Sequence, residues 1–280
     1  MKTKIKIIAL VVFGCGAINS AFAQDFNQHF DTAKINHNPT PVQHFTNVAQ
    51  PKKPKQLSKE MSFGIRLNTN GWSGFVDYGK IIPIDSRHAD RFHKVKLFQV
   101  ELTEKESPRE YKSSSGAPSG GGGSSSYIFG KINNLYVLKL GYGGRKMIAG
   151  KPDDKGAVSI HWVNVGGLGI GFLKPYYLNI SGDPNAIKYG PDTKSSFLDP
   201  NEILGSASFT QGFSEVKIVP GIHYKSALHF DFSSNMKNVI AIETGVNAEY
   251  YFGDVPLMAN VTSVPYFVDV YLSFQFGRKW

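Results

Sequence analysis

Tyr266-Phe267-Val268-Asp269-Val270-Tyr271-Leu272-Ser273-Phe274-Gln275-Phe276-Gly277-Arg278-Lys279-Trp280 closes the chain and decides the reading of its fold. Tyr266, Val268, Val270, Leu272, Phe274 and Phe276 are apolar, with Asp269, Tyr271, Ser273, Gln275 and Gly277 between them. A period of two sustained over that length means an extended strand with two unlike faces. The run before it behaves alike: Ile240, Ile242, Val246, Ala248, Tyr250 and Phe252 alternate with Glu243, Asn247 and Glu249. Before that, Ile222, Tyr224, Leu228, Phe230 and Phe232 alternate with His223, Lys225, His229 and Asp231. Weaker copies pair Phe63, Ile65 and Leu67 with Arg66 and Asn68, and Phe98, Val100 and Leu102 with Gln99, Glu101 and Thr103. Others pair Tyr136, Leu138, Leu140 and Tyr142 with Lys139, and Val158, Ile160 and Trp162 with Ser159 and His161.

Two all-β architectures share this pattern. A soluble sandwich or barrel turns the apolar face inward. A transmembrane β-barrel turns it out to lipid and keeps the polar face inside. Alternation alone does not choose between them. Three features favour the membrane: aromatics near run ends (Tyr224, Phe232, Tyr250, Phe252, Tyr266, Phe276), runs long enough to cross a bilayer as tilted strands, and polar faces mixing acids, bases and His. The C-terminus adds a fourth. Leu272, Phe274, Phe276 and Trp280 share one parity and resemble the C-terminal strand by which bacterial outer-membrane barrels are recognised by the barrel-assembly machinery. Arg278 departs from the apolar series, though a long basic side chain can snorkel to the interface.

Four further stretches carry a family resemblance: Arg66-Leu67-Asn68-Thr69-Asn70-Gly71-Trp72, Gly130-Lys131-Ile132-Asn133-Asn134, Leu140-Gly141-Tyr142-Gly143, and Gly171-Phe172-Leu173-Lys174-Pro175-Tyr176-Tyr177-Leu178. They resemble an uncharacterised family of exported outer-membrane β-barrel proteins of Bacteroidota-type bacteria. The resemblance covers about residues 61–280 and implies a compartment and a fold. It implies no catalytic residue and no substrate.

The N-terminus fits export. Lys2, Lys4 and Lys6 precede an apolar stretch from Ile7 to Ile18, and Ala21-Phe22-Ala23 forms a cleavage site before Gln24. Val12-Phe13-Gly14-Cys15 is a poorer, lipobox-like alternative. Cys15 is the only cysteine of 280 residues, which excludes a disulfide framework and a Cys-based zinc site. No uncharged apolar run of about 18 residues follows, so no transmembrane helix is expected in the mature chain. The whole chain carries a net charge of +9. Removing 1–23 takes away three Lys and leaves a mild basic surplus, which gives no reason to invoke nucleic acid. Residues 24–60 are polar and aperiodic and read as a flexible periplasmic tail, with a basic stretch at 51–59 suited to an acidic partner.

The expected organisation is an antiparallel up-and-down barrel over 61–280. Its ten runs are 61–69, 74–82, 93–103, 126–132, 135–143, 157–164, 168–180, 221–233, 238–252 and 265–278. Eight strands is the main alternative, because 157–164 and 168–180 also suit one long bent strand across Gly166-Gly167. Asn133-Asn134 and Ser233-Ser234-Asn235 read as short periplasmic turns. Residues 104–125, 144–156, 181–220 and 253–264 read as longer outer loops. The Ser/Gly tract at 113–126 is a flexible tip, with no Gly-Lys-Ser/Thr to make a phosphate loop. The segment 181–220 is the best candidate for a partner-binding or pore-covering element. Its scattered acids lack EF-hand spacing, and no metal or cofactor is expected.

The inward set is His223, Lys225, His229, Asp231, Glu243, Asn247, Glu249 and Asp269, joined by His161 and Tyr271. Narrow barrels fill their lumen with paired charges, because a buried unpaired charge is expensive. That is the expected role here. His229, Asp231 and Glu243, with Ser233 or Ser234 nearby, are weak catalytic candidates of an outer-membrane protease or lipid acylhydrolase. Phe274, Phe276 and Trp280 are the expected assembly signal. Three functions stand: a non-enzymatic scaffold or subunit of an envelope assembly, an outer-membrane hydrolase, and a secreted soluble β protein. Expected partners are outer-membrane lipid, the barrel-assembly machinery during insertion, and an envelope protein met through 181–220 and 51–59.

Overall fold

A computed structural model describes residues 57–83, 93–114, 126–150, 158–233 and 237–280. The signal segment, the tail up to residue 56 and the Ser/Gly tract at 115–125 lie outside the described residues. In chain order the strands are β1 (Lys59–Asn68), β2 (Gly71–Pro83), β3 (His93–Lys105), β4 (Lys112–Ser114), β5 (Ser126–Ile128), β6 (Asn133–Ala149), β7 (Ser159–Pro175), β8 (Tyr177–Ile180), β9 (Ile187–Lys188), β10 (Ile203–Ser206), β11 (Lys217–Asp231), β12 (Asn238–Tyr251) and β13 (Tyr266–Lys279). A single helical turn, α1 (Lys194–Phe197), falls between β9 and β10.

Eight strands close a barrel in the order β1-β13-β12-β11-β7-β6-β3-β2. Every neighbouring pair is antiparallel, so the chain runs up and down around the wall and no sheet edge is left. Eight replaces ten for two reasons. The runs 157–164 and 168–180 are largely one strand, β7, that passes through Gly166-Gly167 and stops at Pro175. Gly167 lies opposite Gly141, and a Cβ at Gly167 would stand 1.9 Å from the Leu140 carbonyl oxygen. Glycine there marks a close backbone approach rather than a turn. The run 126–132 is not a wall strand either: β5 pairs with β4 in a two-stranded ribbon apart from the barrel.

Two loop expectations are corrected as well. Asn133-Asn134 is no turn; it opens β6, where the Asn133 side-chain amide donates to the Pro256 carbonyl at 2.7 Å. Residues 144–149 are no outer loop; they complete β6, so the outer loop expected at 144–156 shrinks to the link between β6 and β7. Ser58 and Trp280 lie at the barrel end that carries this link, the β2–β3 link and the β11–β12 link. The opposite end carries the β1–β2 turn and the long connections 106–132, 176–216 and 252–265. At the β1–β2 turn, Gly71 has φ +124°, and a Cβ there would lie 2.0 Å from the Glu104 carbonyl oxygen, so glycine is required.

The two faces of the wall settle its solvent. Inward positions carry Glu60, Arg66, Asp77, Glu101, Lys139 and Glu243, all buried. Outward positions carry Phe63, Ile65, Leu67, Val100, Leu168, Ile222, Val246 and Val270, all exposed. A soluble barrel would reverse this. A closed wall with apolar side chains outside and no open sheet edge is a membrane-spanning barrel. Outward aromatics gather towards both ends: Trp72, Tyr250 and Tyr266 near the long loops, Trp162, Phe232, Phe276 and Trp280 near the termini. Val270 is 56% exposed on this face, opposite Val246 of β12. Val270→Arg should destabilise the folded barrel by about 2–4 kcal/mol, the penalty of a cation near mid-bilayer. Urea unfolding in lipid vesicles reads it, and a loss within ~0.5 kcal/mol would contradict lipid contact at this position.

Candidate functional site

Among the described residues most of the buried charged side chains gather in the lumen. Inward parity brings Glu60, Asp77, Glu101, Asp231, Glu243, Glu249 and Asp269 together with Arg66, Lys105, Lys139, Arg145, Lys225 and Lys279. Acids and bases nearly balance. An eight-stranded barrel leaves room for little besides side chains, so these groups must satisfy one another.

They do so as one chain of contacts running along the barrel. Lys105 pairs with Asp269 and meets Glu249 at 3.0 Å. Lys139 bridges Glu249 (2.7 Å) and Glu101 (2.9 Å). Arg66 pairs with Glu101 and approaches Glu243 at 3.7 Å. Its guanidinium lies over the Phe75 and Tyr271 rings, 4.6 and 4.4 Å from their centroids. Glu243 also accepts from Lys225 (3.2 Å) and the Tyr271 hydroxyl (2.8 Å) and meets His229 Nδ1 at 3.3 Å. His229 Nε2 lies 3.1 Å from Arg145, which pairs with Glu60. Tyr251 and Asn247 donate to Glu249 at 2.6 and 2.5 Å. A side branch links Asp77 to Gln99 (2.6 Å) and Gln275 (2.9 Å).

The structure thus brings all eight expected lumen residues inside the wall, with His161 and Tyr271. His223 stands apart from the chain of ion pairs, its Nε2 3.4 Å from the Leu140 carbonyl. The sequence reading gathered neither Glu60, Asp77 and Lys105 nor Arg145, which it left in a loop. Odd-number parity carried along β2, β3 and β6, and even-number parity along β1, would have found all four.

Of the weak catalytic candidates, His229 and Glu243 meet at 3.3 Å, Asp231 is held by other partners, and Ser234 lies outside the described residues. His229 is fully buried, and its ring packs edge-on against His161 at 5.7 Å. The Ser233 hydroxyl donates to Asp231 at 2.6 Å, and Asp231 takes Lys279 at 3.0 Å. This corner lies at the end of the termini, away from the long loops. It ties β11 to β13 across the short β11–β12 link.

At the other end the lumen is sealed by apolar groups. Val255, Leu257 and Met258 of the β12–β13 connection pack with Leu135, Val137, Leu173, Val219, Tyr251 and Phe267. The Leu257 carbonyl accepts the Ile132 amide at 2.7 Å and locks two connections together. The pore-covering element is therefore the connection 252–265, not the expected 181–220.

The segment 176–216 instead builds a cap with its own core. β8 pairs with β9 and β10, and Leu178, Phe197 and Ile203 bury against Tyr127 from the β4–β5 ribbon. Glu215 accepts from Tyr177 at 2.7 Å and pairs with Lys188. Those two donors, Lys188 foremost, hold its exposed carboxyl below the usual carboxylate range. Three apolar side chains of the cap stay exposed: Leu204, Phe209 and Phe213.

No protein-family model and no curated protein matches the chain. Solved structures with a similar course include Ail, the attachment invasion locus protein of Yersinia pestis. It has TM-score 0.37 and 11% identity, covering 80% of this chain and 100% of that one. The same protein in complex with the heparin analogue sucrose octasulfate gives TM-score 0.37 and 10% identity over the same shares. Neisserial surface protein A gives TM-score 0.36 and 9% identity, over 79% of this chain and 95% of that one.

Proposed function

We propose that this is an exported outer-membrane barrel that works through contacts made at its two ends, as a scaffold or subunit of an envelope assembly. The observation that carries the reading is the filled lumen: among the described residues an ion-pair chain and, towards the long loops, a cluster of apolar side chains occupy the barrel interior. The organised end is the cap, which holds exposed Leu204, Phe209 and Phe213 over a core of its own. Apolar groups kept in the open on an ordered surface suit a protein partner. The signal segment at 1–23, recognition of Phe274, Phe276 and Trp280 by the assembly machinery, the basic arm at 51–59 as a second contact, and the kinship with the Bacteroidota-type family belong to this reading.

Photo-crosslinkers at Leu204 and Lys53 in native membranes should each capture an envelope protein. Purified protein in planar bilayers should pass no resolvable current steps. Steady conductance would overturn the closed-lumen reading. Absence of capture at both sites, together with hydrolysis of peptide or lipid that is lost in His229→Ala, would replace the scaffold by the hydrolase.

A further inference from the structure

A cavity of about 480 Å³ opens between the cap and the outer side of the barrel rim. Its barrel wall is made by strand-end residues of outward parity: Trp72 of β2, Glu104 of β3, Asn134 and Tyr136 of β6, and Lys174 of β7. An outward position further down this wall carries Val100, Leu140 or Leu168; here it carries amide, acid and ammonium groups. Lys174 is the telling residue. It is only 3% exposed, because Phe209 and Phe213 of the cap cover it, with ring centroids 4.7 and 5.0 Å from its Nζ. Among the described residues no carboxylate and no hydrogen-bond acceptor meets that ammonium. A buried cation without an acid is costly, and two ring faces offset the cost only in part.

The acid of the cavity is already engaged. Glu104 accepts from Trp72 Nε1 at 2.9 Å and is hydrogen-bonded by Tyr136. Lys112 adds a second cation on the cap side. The lining therefore presents unmatched positive charge beside ring faces, with Ser208 and Gln211 as further hydrogen-bonding groups. Ring faces with a dense polar rim suit a sugar, and the volume holds one or two sugar rings. The unmatched ammonium calls for an anion on that sugar.

We propose that this cavity binds an anionic saccharide, a phosphorylated sugar seated with its anion on Lys174 and its rings against Tyr136 and Phe209. The cavity lies at the long-loop rim, level with the headgroups of the leaflet on that side, so a membrane glycolipid presents such a group there without leaving the bilayer. A soluble anionic saccharide presents the same chemistry from outside.

The test uses the full chain folded in detergent and in nanodiscs, with Trp fluorescence and calorimetry as readouts. The probes are a bis-phosphorylated glucosamine disaccharide, its dephosphorylated form, and the acylated bis-phosphorylated compound held in the nanodisc bilayer. The phosphorylated probe should bind about tenfold or more tightly than the neutral one. Lys174→Met should lose about tenfold or more of that affinity while keeping heat-modifiability. Lys112→Ala, at an exposed position, should weaken binding too, whereas Lys188→Ala, outside the cavity, should not. Binding of the acylated probe alone makes the ligand a glycolipid; equal binding of the free probe makes it a soluble saccharide. Equal affinity for charged and neutral probes, or wild-type affinity in folded Lys174→Met, overturns the proposal. Binding is read on purified protein, so a negative result here leaves the scaffold reading untouched.

Discussion

Removing Phe276–Trp280 should leave no heat-modifiable barrel in the membrane fraction. β13 is the seam of the wall, paired with β12 on one side and β1 on the other. The deletion takes away the pairings of Phe276, Gly277, Arg278 and Lys279 with Phe63, Ser62, Met61 and Glu60. It also removes the closing hydrogen bonds of Ser58 and Lys59 to the Trp280 carbonyl, each 3.0 Å, and of the Trp280 amide to Lys59 at 2.9 Å. Each backbone group left open in lipid costs several kcal/mol, and several are opened at once. The aromatic end that the assembly machinery is expected to read goes with them. Cell fractionation with a heat-modifiability gel reads the result; a wild-type amount of shifted band would refute the seam.

Glu243→Ala is the point substitution with the largest expected effect, about 3–5 kcal/mol of lost stability. Glu243 is the acid of the lumen that meets Lys225, the Tyr271 hydroxyl and His229 within hydrogen-bond distance, with the Arg66 guanidinium at 3.7 Å. Its loss leaves the buried Lys225 without a carboxylate in ion-pair contact among the described residues. The penalty comes from the stranded cation rather than from the missing contact, so it should be recoverable. Lys225→Met combined with Glu243→Gln should restore most of the loss, because it removes the charge along with its partner. Urea unfolding of the single and double variants in vesicles measures both. A single-variant loss under ~1 kcal/mol, or no recovery in the double, would mean that the network is hydrated rather than dry.

A filled lumen and an organised cap divide the molecule's work. The ion-pair chain holds eight strands in one register, because a slip of one residue would turn Arg66, Glu101 and Glu243 out to lipid. The cap, by contrast, carries its own core and exposes apolar side chains. The corner formed by His229, Asp231 and Ser233 belongs to the first of these parts. It braces the end of β11 against Lys279 of β13.

What the sequence settled by itself is the pair of faces on each strand. Period two is a local property: Val270 and Asp269 must point to opposite sides whatever strand lies beside them. From that came the polar set from His223 to Asp269; the choice of lipid for the apolar face needed the aromatics at the run ends and the C-terminal residues as well. Local pattern also misled where glycine was concerned, since Gly166-Gly167 reads as a break when taken without its neighbours. Only β6, pressed against Gly167, shows that this glycine serves close approach. Tertiary structure alone decided the strand number, the partner of each charge and the roles of the long connections. Lys105 and Asp269 are 164 residues apart, and Arg145 and Glu60 are 85 apart. Nothing in either segment names the other; closure of the wall, its register and its tilt bring them together. The same holds for Lys174, whose parity assigns it to lipid, and whose ammonium is covered only because a cap built from residues well beyond it in the chain folds back across the rim.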